Sequence, residues 1–400
     1  MLSKNFRIYL TAPLRVEMLS NAHLKVLPSL QLDIPPALQQ KFDKIYSKYT
    51  EDFWGEDYRI FLKYLNENNQ WEKAKLTHQN ETYDVLIKLH GKSPTQHVEG
   101  NHYSLGVKVL NNKKINGVSR FNLIVYWRIR YNYDVIEYLA KSMEIYQKTS
   151  DLTSVQINDR QPKLYYFEYR INQEYFDKIA QPNLIALKHK SDHSVIFTGG
   201  NIVEWNEKLR TAIAKIELDD SLKKIIYEKY ATLNKAIYEQ DEKTVLSFFD
   251  LDYLAKIQAF RYLYADNGHG FGVDNFLAAF NTDNSKFYPF VHRDNSAYTL
   301  DISAIKDRFD GKNIGTEYEK PLFDIFANSD ILAKKTKAYL VEILEKKQVT
   351  AHAIDSIVAQ HNSYYYSSFI KQKMGKQELH SATANIKNIS ETLLYSKNSK

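Results

Sequence analysis

TYDVLIKLHGKSPTQHVEGNHYSLGVKVL, residues 82–110, carries two strand-like runs on either side of a polar turn. Thr82 to Leu89 is rich in β-formers and ends in His90-Gly91-Lys92-Ser93-Pro94, a turn by composition. Tyr103 to Leu110 sets Leu105, Val107 and Val109 against Ser104, Gly106 and Lys108, the two-residue period of a strand with one apolar face. After the Asn116-Gly117 break, Phe121 to Arg128 reads as a third strand. Ser154 to Asn158 and Lys163 to Arg170 suggest a hairpin turned by Asp159-Arg160-Gln161-Pro162. Asp134 suits the N-cap of a helix bearing Val135, Ile136, Leu139, Ala140 and Met143, and Asn172 that of a short helix through Ala180. This stretch is therefore expected to be mostly β with an inserted helix, within a β-rich lobe over residues 70–200.

Outward from this lobe the texture changes on both sides. Residues 1–50 have weak periodicity and a Pro35-Pro36 pair, and read as an irregular arm or packed leader. Asp52 to Leu65 suggests a helix with Phe53, Ile60, Phe61, Tyr64 and Leu65 on its buried side, which completes a 1–69 arm. From Trp205 onward the period is helical: Trp205, Leu209, Ile213 and Ile216 share a face, and Val245 to Leu263 keeps one. A Gly-rich break, Asp266 to Asn275, precedes two short strand-like runs, Phe276 to Phe280 and Phe287 to Val291, joined by the turn Asn281 to Ser285. Helices over Ile331 to Leu344 and Thr350 to Gln360 close a helical lobe spanning 201–370. Residues 371–400 read as a basic polar tail.

Composition sets outer limits. Four hundred residues at 44% apolar and 26% charged exclude wholesale disorder and allow two to three compact units at roughly 150 residues each. The absence of Cys excludes disulfide scaffolds, thiolate metal sites and cysteine catalysis. The net charge of +6 includes +4 from the tail, six Lys against two Glu, so the body is nearly balanced and nucleic acid is an unlikely partner. No apolar run approaches the ~20 residues of a transmembrane helix. The start holds only a short apolar stretch, Ile8 to Leu14, broken by Thr11 and Pro13, which makes a poor signal peptide. An aromatic content of 14%, with 30 Tyr, fits a Tyr-rich core and surface.

Two clusters carry candidate chemistry. Around the second lobe's hairpin stand Asp266, His269, Asp274, Asn275 and Asp294. Asp294 and Asn275, from the two sides of one hairpin, offer the hard oxygen donors that Mg²⁺ takes, with Asp266 or His269 upstream as a proton acceptor. The same residue types also dominate ordinary turns for local hydrogen-bonding reasons. His292-Arg293-Asp294 is not an ordinary kinase catalytic loop, because Thr299 stands where Asn is required and no Asp-Phe-Gly follows. In the β lobe, Lys92 and Ser93 lie in a turn suited to phosphate, Lys108 on the following strand and Glu168 late in the hairpin. A Lys gripping phosphate and a Glu steadying it would make a kinase-like pair, although exposed strand Lys and Glu are also common.

In order along the chain, these pieces resemble the CotH kinase family, named for a spore-coat protein, across roughly residues 70–365. YDVLIKLHGKSPTQ resembles the family's strand and R-G-x-S-S turn, with His90 for Arg and Pro94 for the second Ser. HYSLGVKVL resembles its Lys-bearing strand, INGVSRFNLI the segment after it, and LTSVQINDRQPKLYYFEYRINQEYF its hairpin, although the hairpin glycines are absent. DLDYLAKIQAFRYLYADNGHGFGVDNFLAAF, KFYPFVHRD and the later FANSDILAKKTKAYLVEIL resemble the helix and loop ending in Asn, the strand ending in a metal-binding Asp, and the closing helices. The resemblance implies an α+β, bilobed atypical protein-kinase-like fold, with a β-rich N-lobe and a helical C-lobe. It implies an enzyme that binds ATP and Mg²⁺ and transfers the γ-phosphate to a protein hydroxyl. Lys92, Ser93, Lys108 and Glu168 would bind the nucleotide, Asn275 and Asp294 the metal, and Asp266 or His269 would be catalytic. A protein substrate or a coat or envelope protein is the implied partner, in a bacterial, extracytoplasmic or coat-associated setting. The alternative is a catalytically degenerate surface or coat binding protein.

Overall fold

The computed structural model describes residues 27–47, 56–91, 98–99, 102–126, 132–187, 219–264, 278–291, 321–364, 383–384 and 386–392. The chain divides into two compact units. The first comprises Met1–Tyr133, Thr149–Arg170 and Val358–Gly375; the second comprises Asp134–Lys148, Ile171–Ile357 and Lys376–Lys400.

The first unit is built on β1 (Ser29–Asp33), helices α1 (Pro36–Ser47) and α2 (Glu56–Asn68), then β2 (Glu72–His78), β3 (Glu81–Leu89), β4 (Val98–Glu99), β5 (His102–Tyr103), β6 (Leu105–Val109) and β7 (Arg120–Val125). Helix α3 (Asn132–Ser142), which from Asp134 belongs to the second unit, precedes β8 (Ser150–Ile157) and β9 (Lys163–Tyr169). Seven strands close into a barrel in the order β1-β2-β3-β6-β7-β9-β8, while β4 and β5 form a separate two-stranded ladder. All neighbouring barrel strands are antiparallel except β1 and β8, which pair in parallel from Ser29↔Ser154 to Leu32↔Ile157.

Alternation decides which face turns inward. Val85 and Ile87 of β3, Leu105 and Val107 of β6, Leu123 of β7 and Val155 of β8 are all fully buried. Each such side chain is worth about 1.5–3 kcal/mol when taken out of water. Phe121 and Phe167, diagonal neighbours across β7 and β9, stack with ring centroids 4.0 Å apart. Outward positions carry polar and charged residues of the same strands and also a second buried apolar cluster, Ile124, Tyr126, Leu164 and Tyr166. Tight turns fix the registers: Gln79 and Asn80 (φ 49° and 65°) join β2 to β3, and Asn116 and Gly117 (φ 51° and 82°) reverse the chain before β7. The left-handed conformation at Gly117 is one that glycine adopts without steric cost.

The closure overturns the expected bilobed kinase-like fold. A lobe of that kind keeps an open sheet, whereas β1 bonds to β2 on one side and to β8 on the other and leaves the barrel no free edge. The architecture is mixed α/β around a closed barrel. Within the described part of the stretch read as an irregular arm or packed leader, β1 and α1 bury Leu30, Leu32, Phe42 and Ile45. Ile60, expected on the buried side of α2, is 55% exposed, whereas Leu65 is buried as expected.

The second unit contains α4 (Gln173–Lys178), β10 (Leu184–Leu187), α5 (Asp220–Tyr238), α6 (Glu242–Ser247), α7 (Leu251–Tyr264), β11 (Ala278–Asn281), β12 (Lys286–Pro289), α8 (Pro321–Asn328), α9 (Asp330–Glu345) and, up to Ile357, α10 (Ala351–Tyr364). Its sheet is antiparallel in the order β10-β11-β12. Phe287 of β12 is fully buried against Tyr230 of α5, with ring centroids 4.5 Å apart. Polar caps start the helices: Asn172 accepts from the Tyr175 N–H at 3.1 Å, Asp219 from Leu222 at 2.9 Å and Ser329 from Leu332 at 3.3 Å. Among the described residues no helix is long and apolar enough to cross a membrane.

Candidate functional site

Three adjacent strands each place an i, i+2 pair on the outer wall of the barrel. These are Gly106 and Lys108 of β6, Arg120 and Asn122 of β7, and Glu168 at the end of β9 with Arg170 just beyond it. Their inward neighbours Val107, Phe121 and Tyr169 belong to the core, so the two-residue period turns the polar members outward together. The pairing sets them in rows. Lys88, Gly106, Asn122, Glu168 and Ser150 follow one another across β3, β6, β7, β9 and β8. In the adjacent row Leu86, Lys108 and Arg120 are cross-strand partners.

At the centre of the wall stands Gly106, with Trp71, Lys88 and Asn122 close around it. A Cβ there would meet the Trp71 indole at 3.5 Å, Lys88 Cγ at 3.7 Å and Asn122 Oδ1 at 3.8 Å, all ordinary contacts. Lys88 Nζ sits 4.9 Å from the centre of the Trp71 ring, a cation–π contact at the edge of the site. Asn122 and Glu168 are 4% and 3% exposed, and Asn122 Nδ2 donates to Glu168 Oε1 at 2.6 Å. A buried carboxylate needs such a donor. The hydroxyl of Ser150, the cross-strand partner of Glu168, is buried without a hydrogen-bond partner among the described residues.

Arg170 is half-buried at the end of this wall. Burial is the main reason its pKa lies below that of an ordinary arginine; the nearby Arg120 guanidinium adds to the shift, and Glu168 opposes it. Lys108 is half-buried and makes no ion pair or hydrogen bond among the described residues. The barrel therefore brings Lys108 and Glu168 onto one wall with β7 between them, and Asn122 supplies the printed hydrogen bond to the carboxylate. Lys92, Ser93, Asp266, His269, Asn275 and Asp294 lie outside the described residues.

Sequence reading missed Trp71, Lys88, Arg120, Asn122 and Arg170. The signal was present in RFNLIV, where Arg120 and Asn122 alternate with core Phe121 and Leu123. It could be used only once β7 was known to lie between the strand of Lys108 and that of Glu168.

The second unit carries an open groove of about 820 Å³ lined by Leu246, Phe249, Leu251 and Ile331 together with charged side chains. Its charges are largely engaged: Lys335 pairs with Asp252 at 2.5 Å, and Lys286 donates to the carbonyls of Ser247 and Phe249 at 3.0 and 3.2 Å. Among the described residues no three His, Asp or Glu side chains gather as a metal site. The barrel wall is the better-developed polar site. No family model and no curated protein matches the chain.

Proposed function

We propose that the chain binds ATP against the outer wall of the barrel and transfers its γ-phosphate to a protein hydroxyl. The observation that carries this reading is the placement of Lys108 beside Gly106, Asn122 and Glu168 on one wall. The ordered resemblance to the CotH kinases supplies the reaction. Phosphoryl transfer asks mainly for positioning and charge neutralisation. Lys108 meets phosphate oxygens, and Glu168, held by Asn122, fixes the polar surface beside it. An acceptor oxygen forms a bond to the γ-phosphorus as the bond from that phosphorus to the β–γ bridging oxygen breaks. By the same resemblance, Asp266 or His269 would accept the acceptor proton, and Asn275 and Asp294 would hold Mg²⁺, which would supply charge neutralisation.

The test is nucleotide-dependent thermal stabilisation together with transfer of labelled γ-phosphate to added protein. Wild type should respond to ATP only with Mg²⁺, Asp294→Ala should lose the response, and Lys108→Ala should weaken it by tenfold or more. Equal thermal shifts in wild type and both variants would remove the reading.

A second reading, a surface or coat protein that binds without catalysis, is favoured by one observation. Lys108 and Glu168 make no ion pair with each other, although that pair is what the kinase reading requires. It expects a stable fold with no metal-dependent response to ATP.

A further inference from the structure

Three cations stand together at one end of the wall, and the charge of Glu168 acts on one of them, Arg170. Lys108 and Arg120 are direct cross-strand partners. Arg170 follows Tyr169, the partner of Phe121, and therefore comes beside Arg120. Among the described residues none of the three side chains makes an ion pair or hydrogen bond. Glu168, whose charge acts on Arg170, accepts a hydrogen bond from Asn122. Like charges opposed across strands are destabilising, so an arrangement of this kind costs the empty protein stability that a bound anion would restore.

We propose that Lys108, Arg120 and Arg170 form the seat of a polyphosphate chain, holding the distal phosphates of a nucleoside triphosphate. The nucleotide rests on the phosphotransferase reading; the anion seat rests on the wall itself. Two guanidinium forks match phosphate oxygens in pairs, and the lysine adds a point charge. Burial first and Arg120 second depress the pKa of Arg170, and an anion between the two guanidiniums opposes the Arg120 contribution. Arg120 is exposed, so a ligand reaches the seat from solvent.

The experiment is calorimetric titration of the full chain at low salt with inorganic tripolyphosphate and separately with ATP. Wild type, Arg120→Gln and Arg170→Gln are compared, and the unliganded melting temperature of each is recorded. Wild type should bind tripolyphosphate, and each substitution should weaken binding by about tenfold or more. Both variants should melt higher than wild type without ligand, because a like-charge contact is relieved. An Arg170 with a purely structural role would instead lower the melting temperature on substitution. Arg120→Gln, at an exposed position, keeps the test open should Arg170→Gln misfold. Tripolyphosphate binding that is absent from wild type, or equal in all three proteins, overturns the seat. Loss of tripolyphosphate binding in the variants without any phosphoryl transfer by wild type upholds the seat and removes the transferase. Full-rate transfer by both variants upholds the transferase and removes the seat.

Discussion

At the scale of single residues, burial decides the response to acid. His102 is 1% exposed, with Nδ1 3.2 Å from the Tyr165 hydroxyl. Burial first, then Lys163 and Arg160, push its pKa down from 6.5 to about 4. The unfolded chain thus takes up this proton at a higher pH than the folded one. Stability from neutral His102 is fully present above pH 6.5 and is lost as pH falls towards 4, by about 3 kcal/mol in all. His102→Gln should flatten the melting temperature across that window, and an unchanged slope would contradict the assignment. Asn122 gives a second test. Asn122→Ala strips a donor from the buried Glu168 carboxylate and should cost about 1.5–3 kcal/mol in urea unfolding. Pairing it with Glu168→Gln should cost less than the sum of the two single changes, because the charge needing that donor is gone.

At the scale of elements, β1 is the piece on which closure depends. Leu32 is fully buried and has Leu76 of β2 and Ile157 of β8 as its cross-strand partners. Leu32→Ala should cost about 2–5 kcal/mol. In a closed barrel the amides of β1 should exchange as slowly as those of β3 and β7, whereas fast exchange confined to β1 would mean an open sheet. This element also marks where sequence reading stopped. The strands at Thr82 to Leu89 and Lys163 to Arg170 were legible because alternation and turn residues are local signals. The caps at Asn172 and the hairpin around Asn281 to Ser285 were legible for the same reason. Ser29–Asp33 offers only two buried residues, Leu30 and Leu32, and its role is set by a parallel partner more than a hundred residues away. Nothing local encodes that partner, so an arm was expected where a strand closes the barrel. The cationic wall was hidden likewise: Lys108 and Glu168 were visible as residue types, but Arg120 and Arg170 gain meaning only from register.

At the scale of the whole molecule, a modest net charge of +6 conceals an uneven distribution. The tail holds +4 of it, while the barrel wall concentrates Lys88, Lys108, Arg120 and Arg170 near one buried carboxylate. Attraction of a polyphosphate to such a wall should weaken as salt is raised from 0.05 to 0.5 M, given a screening length of about 10 Å at 0.1 M. Deleting residues 371–400 should leave that dependence in place if the wall is the site. The most direct measurement is hydrogen exchange read by mass spectrometry on the full chain, with and without Mg²⁺ and ATP. Slower exchange should appear in peptides covering 105–109, 120–125 and 163–170, and should vanish in Lys108→Ala. An exchange pattern that ATP leaves unaltered on those three strands, or alters equally in Lys108→Ala, would contradict the account.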